Sequence, residues 1–131
     1  DFVNGSRLIY QMETDAMRRI NKFGNRLFQF LISQVTNTHL TDSLCGTKVF
    51  KRDLIEKIFW WQETFNLKDP FGDFDLIFCA SFTGQKISEY PISYKARTYG
   101  KTQISRFRDG LKLIRYFLKS FKVFNSSRSK N

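Results

Sequence analysis

The spacing of apolar residues changes repeatedly along the chain, and the changes outline its elements. Phe2 to Ser6 alternates as a short strand ending in Asn4-Gly5-Ser6-Arg7, where glycine lets the backbone turn and Arg7 emerges at the strand end. In α/β proteins ligands gather at such ends. After a polar connection from Gln11 to Asp15, the residues Met17, Ile20, Phe23, Leu27, Leu31 and Val35 recur at steps of three and four, which predicts an amphipathic helix. Thr36 to Thr41 is a polar linker whose His39 has no nucleophile or acid beside it and takes no role. A turn-forming stretch, Thr41 to Lys48, leads into a strand over Lys48 to Lys51, and Asp53 is placed to cap a helix running through Phe59.

Trp60, Trp61 and Phe65 form an aromatic cluster, read as packing, ahead of the acidic turn Asp69-Pro70-Phe71-Gly72-Asp73-Phe74-Asp75. Pro70 disfavours helix at Asp69 and Gly72 permits a sharp turn, so a helix should follow with Asp73 and Asp75 in its first turn. Asp73 is the expected cap and Asp75 the expected group to reach a pocket. The helix closes near Gly84, and Lys86 to Tyr94 alternates as a strand in which Pro91 marks an edge or a bulge. From Arg106, the residues Phe107, Leu111, Ile114, Leu118 and Phe121 draw an apolar face widened by Phe117 and Phe124, with Arg108, Lys112, Arg115, Lys119 and Lys122 around the rest. Residues 125–131 are small, polar and basic, the pattern of a frayed tail.

Composition sharpens this outline. With 131 residues and 41% hydrophobic content, the chain can build one core, and a net charge of +10 favours a polyanionic partner: nucleic acid, an anionic membrane surface or a phosphorylated substrate. The terminal helix fits an anionic membrane surface as well as it fits a docked helix with its cations in water. Arg18, Lys22 and Arg26 share a helical stripe that could grip a phosphate; Arg26 is read as solvated, and Arg18 and Lys22 stay open to either role. Lys95-Ala96-Arg97-Thr98-Tyr99-Gly100-Lys101-Thr102 gathers cations, hydroxyls and a glycine in one loop suited to a diphosphate. Cys45 and Cys79 are far apart with no ligand-like spacing to each other or to His39, which argues against a disulfide framework or zinc site. No apolar stretch approaches the ~20 residues of a spanning helix, and no signal-peptide pattern opens the chain.

Four motifs in order, Asn4-Gly5-Ser6-Arg7, Asp42-Ser43-Leu44-Cys45-Gly46-Thr47-Lys48, Asp69 to Leu76 and Tyr94 to Thr102, resemble the second half of a family 2 glycosyltransferase. The likeness is to the branch around dolichyl-phosphate mannosyltransferase and other polyprenyl-phosphate glycosyltransferases. It implies an α/β fold, the C-terminal portion of a Rossmann-like glycosyltransferase A fold with a mixed sheet, flanking helices and a terminal basic amphipathic helix. On that reading residues 1–105 are the acceptor-side half of a catalytic domain, 106–124 the basic helix and 125–131 a flexible tail. The parent enzyme would transfer a sugar, with inversion, from a nucleotide-sugar donor to a polyprenyl phosphate or other lipid-linked acceptor, working as a peripheral protein at the cytoplasmic face of a membrane.

The resemblance also assigns roles. Arg7 would meet the acceptor phosphate, helped by Arg18 or Lys22. Asp42, Asp73 and Asp75 are candidates for orienting groups at the reacting carbon, and Arg97 and Lys101 would neutralise the departing diphosphate. The family's divalent metal, Mg or Mn, is expected to be held by an Asp-x-Asp motif upstream of this chain, so no metal ligand is assigned here and the chain alone is expected to be inactive. The alternative is a non-catalytic basic module for anionic lipid or nucleic acid; on the glycosyltransferase reading a nucleic-acid partner is not expected.

Overall fold

A computed structural model describes residues 1–9, 19–93 and 106–129. Its elements follow one another as β1 (Phe2–Ser6), α1 (Arg19–Thr36), β2 (Lys48–Phe50), α2 (Asp53–Phe65), α3 (Asp73–Phe82), β3 (Ile87–Pro91) and α4 (Arg106–Arg128). The sheet is mixed, in the order β2-β1-β3. β1 pairs antiparallel with β2 (Phe2 opposite Phe50) and parallel with β3 (Phe2 opposite Ile87). Parallel pairing needs a long crossover, and α1, α2 and α3 all lie in the chain between these two strands.

Strand alternation decides what each sheet face carries. Phe2, Phe50 and Ile87 share one register and belong to the core, whereas Val49 and Tyr90, on the other face, are each 66% exposed. Among the described residues β3 is an edge strand, in keeping with Pro91 at its end. The helices pack around α3, which contacts α1, α2 and α4. A helix surrounded in this way must be apolar on nearly every side. Accordingly Phe74, Ile77, Phe78, Cys79 and Ala80 are all buried. Burial, with a smaller push from the nearby Asp75 charge, raises the Cys79 thiol to about 12, so it stays protonated and inert.

Several helical expectations need correction. On α1 the buried stripe is Asn25, Phe28, Ile32 and Val35, while Phe23 and Leu27, expected inside, are 71% and 43% exposed. On α4 the docked stripe is Leu113, Tyr116, Phe117, Ser120 and Phe124, and the expected face of Leu111, Ile114, Leu118 and Phe121 points outward. Each helix carries two apolar stripes, and α3 received the one with the better-fitting aromatics; Phe78 meets Tyr116, Phe117 and Phe124. α4 also continues to Arg128, whose guanidinium donates to the Val35 carbonyl at 3.0 Å, so the expected tail is helical through that residue. α2 runs to Phe65 and not Phe59, beginning after Arg52 without a side-chain cap, so Asp53 is its first residue and not its cap.

Gly5 is required by close approach. A Cβ built there would lie 2.9 Å from the Thr47 carbonyl oxygen and 3.0 Å from Thr47 Cβ, and the Gly5 amide donates to that same carbonyl at 2.8 Å. Gly5→Ala is therefore expected to cost about 1–3 kcal/mol through overpacking against backbone, measurable as a lower urea midpoint with unchanged m-value.

Candidate functional site

β1 and β3 run parallel, so their carboxyl ends open on the same side, where loops can gather polar groups. The inward row through Asn4 holds Lys48 on one flank and Glu89 on the other, by strand register. Each flanking residue reaches to a different loop. Glu89 accepts from the Thr41 amide (2.8 Å), the Thr41 hydroxyl (2.7 Å), the Asp42 amide (3.3 Å) and Asn4 Nδ2 (3.0 Å). It thus binds the 41–42 segment from behind, and Asn4 Nδ2 adds a bond to the Asp42 carbonyl at 2.8 Å.

Held there, Asp42 is fully buried and faces Arg7. Arg7 Nε and Nη2 donate to its two oxygens at 2.6 and 2.9 Å, the Arg7 amide adds a third bond at 3.1 Å, and Asn25 Nδ2 a fourth at 2.6 Å. Burial works to raise the Asp42 pKa, but the hydrogen bonds and charge of Arg7, with the Asn25 amide, outweigh it and hold the carboxyl below its ordinary value. At neutral pH Asp42 is an ionised, weakly basic group that fixes a guanidinium in one plane. Ser6 Oγ lies 2.6 Å from Thr41 Oγ1 and accepts from the Leu8 amide at 3.3 Å, which closes the strand end around the pair. Among the described residues Asn4 Oδ1, Asn25 Oδ1 and Ser43 Oγ are buried without a hydrogen-bond partner, and each can accept from a hydroxyl or a water.

The acidic turn divides its carboxylates. Asp73 lies toward the sheet: Lys48 Nζ, on the same strand row as Asn4, donates to it at 2.8 Å and also to the Cys45 carbonyl. The Lys48 side chain is only 2% exposed, so this is a desolvated cation with two acceptors. Asp75 turns the other way. At 1% exposure it accepts from the Tyr116 hydroxyl, from Gln62 Nε2 at 2.7 Å and from the Asp69 amide at 2.9 Å, and Tyr116 accepts in turn from Trp61 Nε1 at 3.1 Å. Burial and the Asp75 charge raise the Tyr116 pKa, which keeps its hydroxyl a donor.

The capping group is Asp69 and not Asp73. Its carboxylate accepts from the Phe71 amide at 3.2 Å and the Phe74 amide at 2.8 Å, while Gly72, at φ 81°, holds the N-cap position with no side-chain bond of its own. Burial raises the Asp69 pKa, the two amides lower it, and the Asp75 and Asp73 charges raise it further; the net direction is upward.

The structure therefore brings Arg7, Asp42 and Asp73 to one end of the sheet and sends Asp75 into the core. Arg18, Arg97 and Lys101 lie outside the described residues, and Lys22 is placed on α1 without a described side chain. Glu89, Asn25 and Asn4 were missed by sequence reasoning. A polar residue on the stripe of Phe28, Ile32 and Val35 was the available signal for Asn25. No three His, Cys, Asp or Glu side chains among the described residues form a group able to hold a metal ion, and the oxygens of Asp42, Asp69 and Asp75 are occupied by N–H and O–H donors. Among the described residues these carboxylates do not form a divalent-metal site.

Over 110 residues the chain is 31% identical to a protein of Haloferax volcanii, with 84% of this chain and 44% of that protein covered. That relative is a dolichyl-phosphate hexose transferase. The chain thus corresponds to less than half of the hexose transferase's length. No family model and no solved structure matches the chain. No helix among the described residues is long and apolar enough to cross a membrane.

Proposed function

We propose that this chain is the acceptor-side part of a family 2 glycosyltransferase with a glycosyltransferase A fold. Joined to a nucleotide-binding part, it would transfer a sugar with inversion from a nucleotide-sugar to a polyprenyl phosphate. The observation that carries the reading is the Arg7–Asp42 pair at the carboxyl end of two parallel strands, and the hexose-transferase relative supports it.

The chemistry follows from the protonation states. A lipid phosphate is ionised near neutral pH and attacks without a general base, whereas a sugar hydroxyl needs one. Asp42, with its depressed pKa and four N–H donors, suits orienting Arg7 far better than abstracting a proton. Arg7 then binds the acceptor phosphate, with Arg18 or Lys22 as helpers, and Asp73 lines the same end of the sheet. Arg97 and Lys101 stabilise the charge that builds on the leaving diphosphate. The divalent metal belongs to the nucleotide-binding part, and no step on this chain is assigned to it. The protein works as a peripheral enzyme at the cytoplasmic face of a membrane, where its acceptor resides.

In a polypeptide that unites this chain with its nucleotide-binding part, Arg97→Ala is expected to lower kcat for hexose transfer to a polyprenyl phosphate by about 10²–10³-fold. Arg7→Gln is expected chiefly to raise KM for that acceptor. Initial rates at varied acceptor concentration check both: a wild-type kcat for Arg97→Ala, or a wild-type acceptor KM for Arg7→Gln, would reject the role given to that residue.

A further inference from the structure

Away from the Asp42 cluster, the loop after α2 and the face of α4 form a shallow recess, open to solvent, of about 180 Å³, lined by Asn66, Leu67, Lys68, Lys112, Arg115, Tyr116 and Lys119. Four of its lining residues are cations, and among the described residues only Lys112 has an acidic partner, Asp109 at 2.9 Å. Among the described residues no carboxylate pairs with Lys68, Arg115 or Lys119. Like charges gathered around a concavity repel one another, and an anion seated among them removes that repulsion.

The helix geometry explains the arrangement. Lys112, Arg115 and Lys119 recur at three and four residue steps and so form one stripe of α4. Tyr116, on the border between that stripe and the core, closes the floor, anchored by its bond to Asp75. The loop after α2 supplies Lys68 from the opposite wall, and the left-handed Asn66, at φ 49°, is what turns the chain there. The cavity is smaller than the ~300–1,000 Å³ of sites that enclose whole small molecules. It is sized for one charged group.

We propose that this pocket binds a phosphate group, separately from the acceptor phosphate at Arg7. Arg115 offers a planar fork and the lysines point charges, the donor set that phosphate oxygens favour. Two sources share this chemistry: a phospholipid headgroup and a free phosphate. Leu111, Ile114, Leu118 and Phe121 form an exposed apolar stripe of α4 beside the basic one, at 56%, 40%, 52% and 42% exposure, which gives a headgroup in the pocket a place for the adjoining chains.

The test titrates the chain with inorganic phosphate at low ionic strength, followed by amide chemical shifts, and in parallel with vesicles of pure phosphatidylcholine or with added phosphatidic acid, followed by co-sedimentation. Arg115→Gln with Lys119→Gln is expected to weaken phosphate binding about tenfold or more. Lys51→Gln with Lys57→Gln, the same charge change on another surface, should leave it within twofold. Both pairs are on the surface, and circular dichroism verifies that each variant is folded. If phosphatidic-acid vesicles also bind, compete with inorganic phosphate and lose binding in the Arg115/Lys119 variant, the headgroup is the source. If only inorganic phosphate binds and responds to the variant, the source is a free phosphate. Absence of both forms of binding, or an equal loss in the two variants, overturns the proposal.

Discussion

Asp42→Asn is expected to lower the unfolding free energy at pH 7 by about 3 kcal/mol, the scale for breaking a buried charge pair from one side. The variant keeps the shape of the side chain but presents Arg7 with an amide where two carboxylate oxygens accepted Nε and Nη2. Because Arg7 is itself only 15% exposed, water cannot fully replace the lost partner. The loss should also depend on pH, and its sign is fixed by linkage. Asp42 has a native pKa below its unfolded value of about 3.9, so its stabilisation is complete above that value and disappears as the pH falls through the native one. The gap between wild type and variant should therefore narrow toward low pH. Asp69 has the opposite sign: its raised native pKa gives stability that is present below the unfolded value and lost as the pH rises through the native one. Both proteins contain Asp69, so its contribution cancels in their difference. Urea midpoints for the pair between pH 7 and pH 3 make the measurement, and parallel curves would show that the carboxylate charge does not stabilise the pair.

Asp75→Ala should cost still more, about 3–5 kcal/mol, although Asp75 shares a helical turn with Asp73. The substitution leaves the Tyr116 hydroxyl, the Gln62 amide and the Asp69 backbone N–H without their acceptor in the middle of the aromatic core. A double-mutant cycle with Tyr116→Phe isolates the central bond. Each single change removes it, so the double variant should be more stable than the sum of the two losses implies, by about 0.5–3 kcal/mol. If Asp75→Ala matches wild type in denaturant, the buried network is not structural, and the sequence-based assignment of Asp75 to a pocket regains its standing.

These contrasts show what local pattern can and cannot carry. β1, β2 and β3, and the start of α3 after Gly72, are all visible as alternation or turn chemistry, because the causes act over a few residues. The face that each helix buries is different. α1 and α4 each offer two apolar stripes, and the choice belongs to partners such as Phe74 and Phe78, far away in sequence. The site divides in the same manner. Arg7 and Asp42 are recognisable from their motifs, but Glu89 is a lone acid in an alternating strand, and only the parallel register beside Asn4 brings it against the Asp42 loop. In sequence Asp73 reads as the cap and Asp75 as the group that reaches a pocket. One faces a buried lysine on β2 and the other a tyrosine on α4, and that difference exists only in three dimensions.

The register of β1 has a consequence for how the chain is made. Its residues meet β3 across a sequence separation of 85, as between Asn4 and Glu89. At ~5–20 residues per second, a ribosome needs about 4–17 s to supply the second partner after the first. Throughout that interval the central strand of the sheet lacks its parallel neighbour, and the loop carrying Asp42 lacks the carboxylate that holds it. Completion of the site therefore waits for β3, and until then β1 can pair only with β2 and keeps its other edge open.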